Sequence, residues 1–208
     1  MISILYDCFK YWSKAGSVYI YSDTHFSDAE HFKLLKANNH VPEGINTVEE
    51  LDELQIKNIN AVCHKCDTLI LLGDVGNVEL VKRLKAGCKV LITGNHDHGK
   101  EYYKPYFSEN MVFAGFLAIS DKIILSHEEF RPCPTYVVNL HGHTHDRPFK
   151  YTADGITYYN FCAEAINYQP VSLSELIKHG LLSGVDDIHR VAVDRAIDRK
   201  SKREKKTV

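Results

Sequence analysis

Apolar positions along this chain come in short blocks separated by polar ones. Val18-Tyr19-Ile20-Tyr21, Leu69-Ile70-Leu71-Leu72, Val90-Leu91-Ile92, Ile123-Ile124-Leu125 and Val137-Val138-Asn139-Leu140 have strand length and are rich in β-branched and aromatic residues. After the first block the chain turns polar and carries Pro42-Glu43-Gly44, so a long connection is expected there. Leu51, Leu54, Ile56, Ile59 and Val62 then recur at roughly helical spacing, which predicts a helix over 48–62, with Thr47 and Glu50 as a capping box. A strand at 68–72, a helix near 78–86 and a strand at 89–93 make a strand–helix–strand unit, hence parallel pairing. After Asp97 the connections shorten. Strands are predicted near 111–114, 117–120, 123–125, 137–140 and 157–161, with antiparallel pairing favoured. A last helix is expected over 172–179, started by Ser172 with Glu175 at its third position.

The first half therefore reads as α/β and the second as β-rich. Two mixed sheets packed face to face, with helices outside, satisfy both halves. The expected organisation is one domain over residues 1–182 and a polar extension over 183–208. Residues 1–17 are a poorly patterned lead whose Phe9, Tyr11 and Trp12 are expected to dock on the core.

Composition narrows the class. The 208 residues suffice for one sizeable core, and a net charge of −2 announces no nucleic-acid or membrane partner over the whole surface. No apolar stretch is long enough to span a bilayer, and the N-terminus lacks a basic lead and a long apolar core. The six cysteines are scattered, which suits reduced thiols better than a disulfide framework. A cytoplasmic protein without a membrane partner is expected.

The chemistry lies where the apolar blocks stop. They run into Asp23-Thr24-His25, Gly73-Asp74, Gly94-Asn95-His96-Asp97, Ser126-His127 and Gly142-His143-Thr144-His145. Side chains at successive strand ends converge on one edge of a sheet. In an extended segment residues two apart face one side, so Asp23 with His25, and His143 with His145, can each reach one ion. With Asp74, Asn95 and His127 these make seven oxygen or nitrogen donors. That is too many for a closed tetrahedral zinc site and suits two ions with open positions. Only Asp23 and Asp74 among them are anionic, so two divalent cations leave the site positive and suited to an anionic substrate such as a phosphate ester. Gly73, Gly94 and Gly142 each precede a candidate ligand and leave room for a close approach.

Together, in this order, the five motifs resemble the calcineurin-like metallophosphoesterase superfamily, in particular its small uncapped bacterial and phage members. The resemblance continues through Asn160 and into Tyr168-Gln169-Pro170-Val171-Ser172-Leu173. It implies a four-layer αββα fold and a dinuclear metal-dependent phosphoesterase. By resemblance, Asp23, His25 and His145 hold one metal, Asn95, His127 and His143 the second, and Asp74 bridges both. A metal-bridging water is then the nucleophile, attacking phosphorus in line with the leaving oxygen. His96 assists the leaving group and Asp97 orients its ring. Two divalent transition-metal ions are the implied cofactors, Mn first, with Fe, Zn, Co or Ni also suited to nitrogen and oxygen donors. A chain too short for a large capping domain leaves the site open, which favours phosphodiesters or nucleotides. Phosphomonoesters and a non-catalytic metal-binding scaffold are the alternatives. One departure concerns the rim: where small members have Gly-His after the Phe of the first motif, this chain has Ser27-Asp28-Ala29-Glu30-His31.

Other polar residues read more plainly. Cys63-His64-Lys65-Cys66 lacks a second cysteine pair at zinc-ribbon spacing, so a structural role is expected. His141 is expected to be a satisfied core or rim histidine, and Glu128 and Glu129 to be solvated. His98 is open between a group supporting the site and an exposed residue at a helix start. Arg131 and Arg147 lie near motif loops and are candidates for phosphate contact. The basic run 199–206 is a possible nucleic-acid partner site, although no aromatic residue interleaves it to stack bases.

Overall fold

The structure is a computed structural model that describes residues 17–118, 123–130 and 137–178. Residues 1–16 of the lead, Arg131, the far end of the strand expected at 117–120, the last residue of the final helix and the extension with its basic run lie outside the described residues. In chain order the elements are β1 (Val18–Tyr21), α1 (Ala29–Ala37), α2 (Val48–Val62), β2 (Thr68–Leu71), a 3-10 segment (Val78–Arg83), β3 (Cys88–Thr93), α3 (Lys100–Tyr103), β4 (Val112–Ala114), β5 (Phe116–Ala118), β6 (Ile123–Ser126), β7 (Val138–His141), β8 (Lys150–Ala153), β9 (Ile156–Asn160), a 3-10 turn (Glu164–Ile166), β10 (Val171–Ser172) and α4 (Leu173–Lys178).

Two five-stranded sheets result, ordered β10-β1-β2-β3-β4 and β5-β6-β7-β9-β8. In the first, β1 to β4 are parallel and β10 is antiparallel to β1. The second is mixed: β6, β7 and β9 are parallel, while β5 and β8 are antiparallel edges. The expected sandwich of two mixed sheets is therefore present. The expectation of antiparallel pairing after Asp97 is corrected at three places, β3–β4, β6–β7 and β7–β9. Short connections misled because a parallel return can be brief: one turn of helix, α3, lies between β3 and β4, and the β8 edge strand lies between β7 and β9.

Period-two alternation sorts the strand side chains between two cores. Val18, Ile20, Ile70, Leu72, Val90 and Ile92 face Ile123, Leu125, Val138, Leu140, Tyr159 and Phe161 between the sheets. Tyr21, Leu69, Leu71 and Leu91 turn the other way and pack under Leu51, Ile56 and Ile59 of α2 and Phe32 and Leu35 of α1. Burying one such side chain stabilises the fold by about 1.5–3 kcal/mol, so β1, β2 and β3 are pinned on both faces. The outward face of the second sheet is more polar. There Asn139 is fully buried, donates to the Ile124 carbonyl and Ser126 Oγ, and accepts from the Phe130 N–H.

Local signals explain most elements. Helix α2 has the expected capping box, Thr47 and Glu50 exchanging side-chain and backbone hydrogen bonds. Helix α1 occupies the stretch expected to be a connection. Asp28 caps it, but it buries only Phe32 and Leu35, too short a stripe to stand out as periodicity. The helix expected at 78–86 is a 3-10 segment ending at Arg83. Cys63 is buried at the end of α2, where burial and the Asp67 carboxylate push its thiol up to about 12, so the free thiol is protonated at neutral pH. No helix among the described residues is long and apolar enough to cross a membrane.

Candidate metal centre

The carboxyl ends of β1, β2, β3, β6 and β7 meet at one edge of the sandwich. Backbone pairing continues past the strands: Asp23 N–H donates to Gly73 O (3.1 Å), His25 N–H to Asp74 O (2.9 Å) and Phe26 N–H to Val75 O (3.0 Å). A bridge between Ser22 and Cys162 joins the two sheets there, and Gly142 N–H donating to His127 O (2.9 Å) carries the β6–β7 pairing past the strand ends. These ends are not extended. Asp23 (φ 55°), His25 (φ 40°), Asp74 (φ 51°) and His143 (φ 65°) are all left-handed. Non-glycine residues seldom adopt that conformation, and such strain collects at functional sites. The reason given for Asp23 and His25 sharing a side is therefore corrected: two left-handed kinks, not a strand, bring them together.

The inward atoms form two adjoining clusters. In one, His25 Nε2 lies 3.9 Å from Asp23 Oδ1 and 3.6 Å from Asp74 Oδ2, and His145 Nε2 lies 3.5 Å from Asp23 Oδ1. In the other, His127 Nε2 lies 3.3 Å from Asp74 Oδ2 and 2.8 Å from Asn95 Oδ1, and His143 joins Asp74 and His127. Asp74 Oδ2 thus sits between the clusters. His143 and His145, expected from spacing to reach one ion, point into different clusters because His143 takes a left-handed turn between them.

Three of the four ligand-type rings, those of His127, His145 and His25, are held from behind. His127 Nδ1 donates to the Leu72 carbonyl (2.8 Å), His145 Nδ1 faces Glu164 Oε1 (2.6 Å), and His25 Nδ1 faces Asp28 Oδ2 (3.5 Å). Fixing Nδ1 leaves each Nε2 lone pair turned inward, the usual support for a metal-binding histidine. Asp23 is held similarly: its Oδ2 accepts from His143 N–H (3.0 Å) and Cys162 Sγ (3.4 Å), leaving Oδ1 free.

The arrangement fits cations. Asp23 Oδ1 and His25 Nε2 are buried without a hydrogen-bond partner. When the His127 ring is neutral with its proton on Nδ1, Nε2 turns a lone pair toward two further acceptors, Asn95 Oδ1 and Asp74 Oδ2. Such convergence is repulsive unless a positive charge intervenes. Burial pushes the Asp74 carboxyl up, but hydrogen bonds from His127 and the His96 N–H hold it down at about 2. Burial pulls the His127 ring down, yet Asp74 and Asp23 raise it to about 9. Burial likewise lowers His25 against the pull of Asp23 and Asp74. Ionised oxygen and imidazole nitrogen share one space, in which a proton on His127 supplies the positive charge that a metal ion would bring. The glycines keep that space open: a Cβ on Gly94 collides with Asp74 Oδ1, one on Gly142 with Asp23 Oδ2, and one on Gly73 lies 2.6 Å from His127 Nδ1.

His96 is exposed at the rim, its ring 5.7 Å from that of His25, and its backbone N–H donates to Asp74 Oδ1 (3.0 Å). Asp97 does not orient it. Its Oδ1 accepts from Val75 N–H (2.9 Å) and Tyr103 OH (2.9 Å), and its Oδ2 from Asp74 N–H (2.9 Å) and Gly94 N–H (2.8 Å). With both oxygens committed, Asp97 is a strut that ties the end of β2 to the end of β3.

Among the other candidates, His141 is fully buried and satisfied, Nδ1 against Gly142 O (2.7 Å) and Nε2 against Tyr151 OH (2.9 Å). Glu129 is not simply solvated: it accepts from Tyr151 OH (2.6 Å) and Thr144 Oγ1 (3.2 Å). His98 is exposed and packs its ring 4.4 Å from Tyr102. Arg147 lies over Tyr151 and 3.9 Å from Glu129. Sequence reasoning missed Asp28, Glu164 and Cys162. Asp28 was findable as a cap directly after the first motif. Glu164 and Cys162 had no local signal, because only the sheet topology brings them beside His145 and Asp23.

A two-sheet sandwich with nitrogen and oxygen donors gathered at its joint edge is an arrangement that metal-dependent phosphoesterases use. A sequence model of the calcineurin-like phosphoesterase family matches residues 16–204, and the chain belongs to that family. An uncharacterized protein of Methanocaldococcus jannaschii is 29% identical over 176 residues, covering 77% of this chain and 89% of the relative. A solved structure of a protein of unknown function from Aquifex aeolicus matches with a TM-score of 0.59 and 26% identity, covering 79% of this chain and 99% of that one.

Proposed function

We propose that this protein hydrolyses phosphodiesters or nucleotides with a pair of divalent ions, manganese first among them. The single observation carrying the proposal is the convergence of seven donors with buried, unpartnered atoms, Asp23 Oδ1 and His25 Nε2, at their centre. Asp23, His25 and His145 would hold one ion, Asn95, His127 and His143 the other, with Asp74 shared. When bound, the pair supplies activated water and neutralises phosphate charge. Asn95 positions the phosphate. His96, exposed and tethered to Asp74 through its backbone, holds the proton destined for the leaving oxygen.

The surroundings favour a diester over a compact monoester. A cavity of about 420 Å³ opens beside Asn95 and His127 and is walled by Phe116 and Phe130, whose rings lie 5.0 Å apart. Another of about 430 Å³ opens beside His96 and is lined by Asp28, Asn77 and Tyr103. A substrate with an arm on each side of phosphorus uses both, and the aromatic wall suits a base or aryl group. The test is a panel of bis-p-nitrophenyl phosphate, cyclic nucleotides and p-nitrophenyl phosphate, assayed with Mn²⁺. Diester turnover at least tenfold above monoester turnover is expected. A monoester preference contradicts the substrate class, and no turnover by a metal-loaded protein supports the scaffold alternative.

A further inference from the structure

Three histidine rings meet at the Asp23 end of the centre, and the five motifs account for two of them. His31, in the first turn of α1, lies face to face with His25, ring centroids 3.7 Å apart and planes 15° from parallel. Its ring is also 4.7 Å from that of His145. His31 Nε2 is buried and has no hydrogen-bond partner. Asp28 delivers the ring to this place. Its Oδ1 accepts from the backbone N–H of Glu30 (3.1 Å) and of His31 (2.9 Å), while Oδ2 faces His25 Nδ1 (3.5 Å). One carboxylate therefore sets both the helix start and the neighbouring ring. A buried polar atom left without a partner is destabilising, a cost that a partner arriving with substrate would relieve.

Stacking argues against the obvious use, a further metal ligand. Imidazole binds an ion along its in-plane lone pair, at about 2.0–2.1 Å for zinc. His25, His31 and His145 do bring one ring nitrogen each within 4.8 Å of one another, but the His25 and His31 centroids are 3.7 Å apart with planes only 15° from parallel, so the in-plane lone-pair directions of these two stacked rings do not converge on one ion. An ion in the plane of His25 is therefore out of the plane of His31. His96 meets the same His25 ring more nearly edge-on, at 5.7 Å and 66°, so two imidazoles outside the motif ligand set flank it.

We infer that His31 is a substrate-contacting residue whose Nε2–H donates to a non-bridging phosphoryl oxygen at the Asp23, His25 and His145 end. This rests on the phosphoesterase reading. It divides the work between the two rings: His31 grips the phosphoryl group and His96 serves the leaving oxygen. The terminal amide of Gln can place a donor near the position of the His Nε2, whereas Ala cannot.

The experiment compares wild type, His31→Ala and His31→Gln, each loaded with Mn²⁺. Metal content is measured by elemental analysis and inorganic phosphate affinity by calorimetry. His31→Ala should keep two Mn²⁺ per chain yet bind phosphate about tenfold or more weakly, as expected for one lost hydrogen bond to a charged group. His31→Gln should restore most of that affinity, and KM for bis-p-nitrophenyl phosphate should follow phosphate affinity. Loss of Mn²⁺ from His31→Ala makes the residue a ligand and overturns the inference. Unchanged phosphate affinity reduces it to packing and also overturns it. A wild type that binds neither Mn²⁺ nor phosphate instead defeats the phosphoesterase reading, and this inference with it.

Discussion

Replacing Asp97 by Asn separates two accounts of that residue. Its carboxylate receives four donors at 2.8–2.9 Å: the backbone N–H groups of Asp74, Val75 and Gly94, and Tyr103 OH. An amide retains one oxygen, able to serve two of the four, and turns an NH2 toward the other two. Hydrogen bonds to a charged group contribute about 1.5–3 kcal/mol each, so losing two costs roughly 3–6 kcal/mol before relief by water. Asp97 is half-buried, so water relieves part of this and a loss of about 3 kcal/mol is expected. For a chain of this size that lowers Tm by roughly 6–12 °C. Urea and thermal unfolding of Asp97→Asn, alone and combined with His96→Ala, measure it. The strut account predicts that Asp97→Asn destabilises while His96→Ala does not, and that their effects on turnover are nearly additive. Unchanged Tm for Asp97→Asn, with no further loss of turnover in the double variant, refutes the strut and restores an orienting role toward His96.

His96→Ala should cut turnover by about 10²–10⁴-fold with metal content intact, the range for a lost proton donor; elemental analysis beside the kinetics checks it, and loss of metal would make His96 a ligand. Glu164→Gln keeps the shape but not the charge behind His145 Nδ1, so affinity for one ion should fall about 10–100-fold in a Mn²⁺ titration; unchanged affinity would deny Glu164 any influence on the metal. Burial raises the Asp52 carboxyl from 3.8 to about 6 despite its hydrogen bonds from Ser27. Because the folded state holds this proton more tightly, the contribution is full below about pH 4 and is lost as pH rises through about 6. Urea melts should show a falling component between those values that disappears in Asp52→Asn, and an identical slope in that variant would remove Asp52 as its source.

The centre was far more legible in the sequence than the frame that assembles it. Every candidate donor stood two to five residues beyond an apolar block, so its place at a strand end could be read directly. How the donors share out could not be read from spacing, since His143 and His145 part company through a left-handed turn that spacing does not encode. The groups behind the rings were still more hidden. Glu164 and Cys162 follow β9, which adjoins β7 only through a parallel pairing that short connections argued against. Helix α1 escaped notice because two buried residues make no stripe, and with it went His31, the ring nearest to His25. Asp97 was legible as important, yet its role was misassigned because adjacency to His96 in sequence says nothing about where its two oxygens turn.

Metal stoichiometry tests the paired-ion claim most directly, read by anomalous scattering from manganese-soaked crystals and by elemental analysis of wild type and Asp74→Asn. The account predicts two ions in wild type, one against Asp23, His25 and His145 and the other against Asn95, His127 and His143, and loss of tight binding at both when Asp74 is changed. A single ion, ions bound elsewhere, or two ions retained tightly by Asp74→Asn would contradict it.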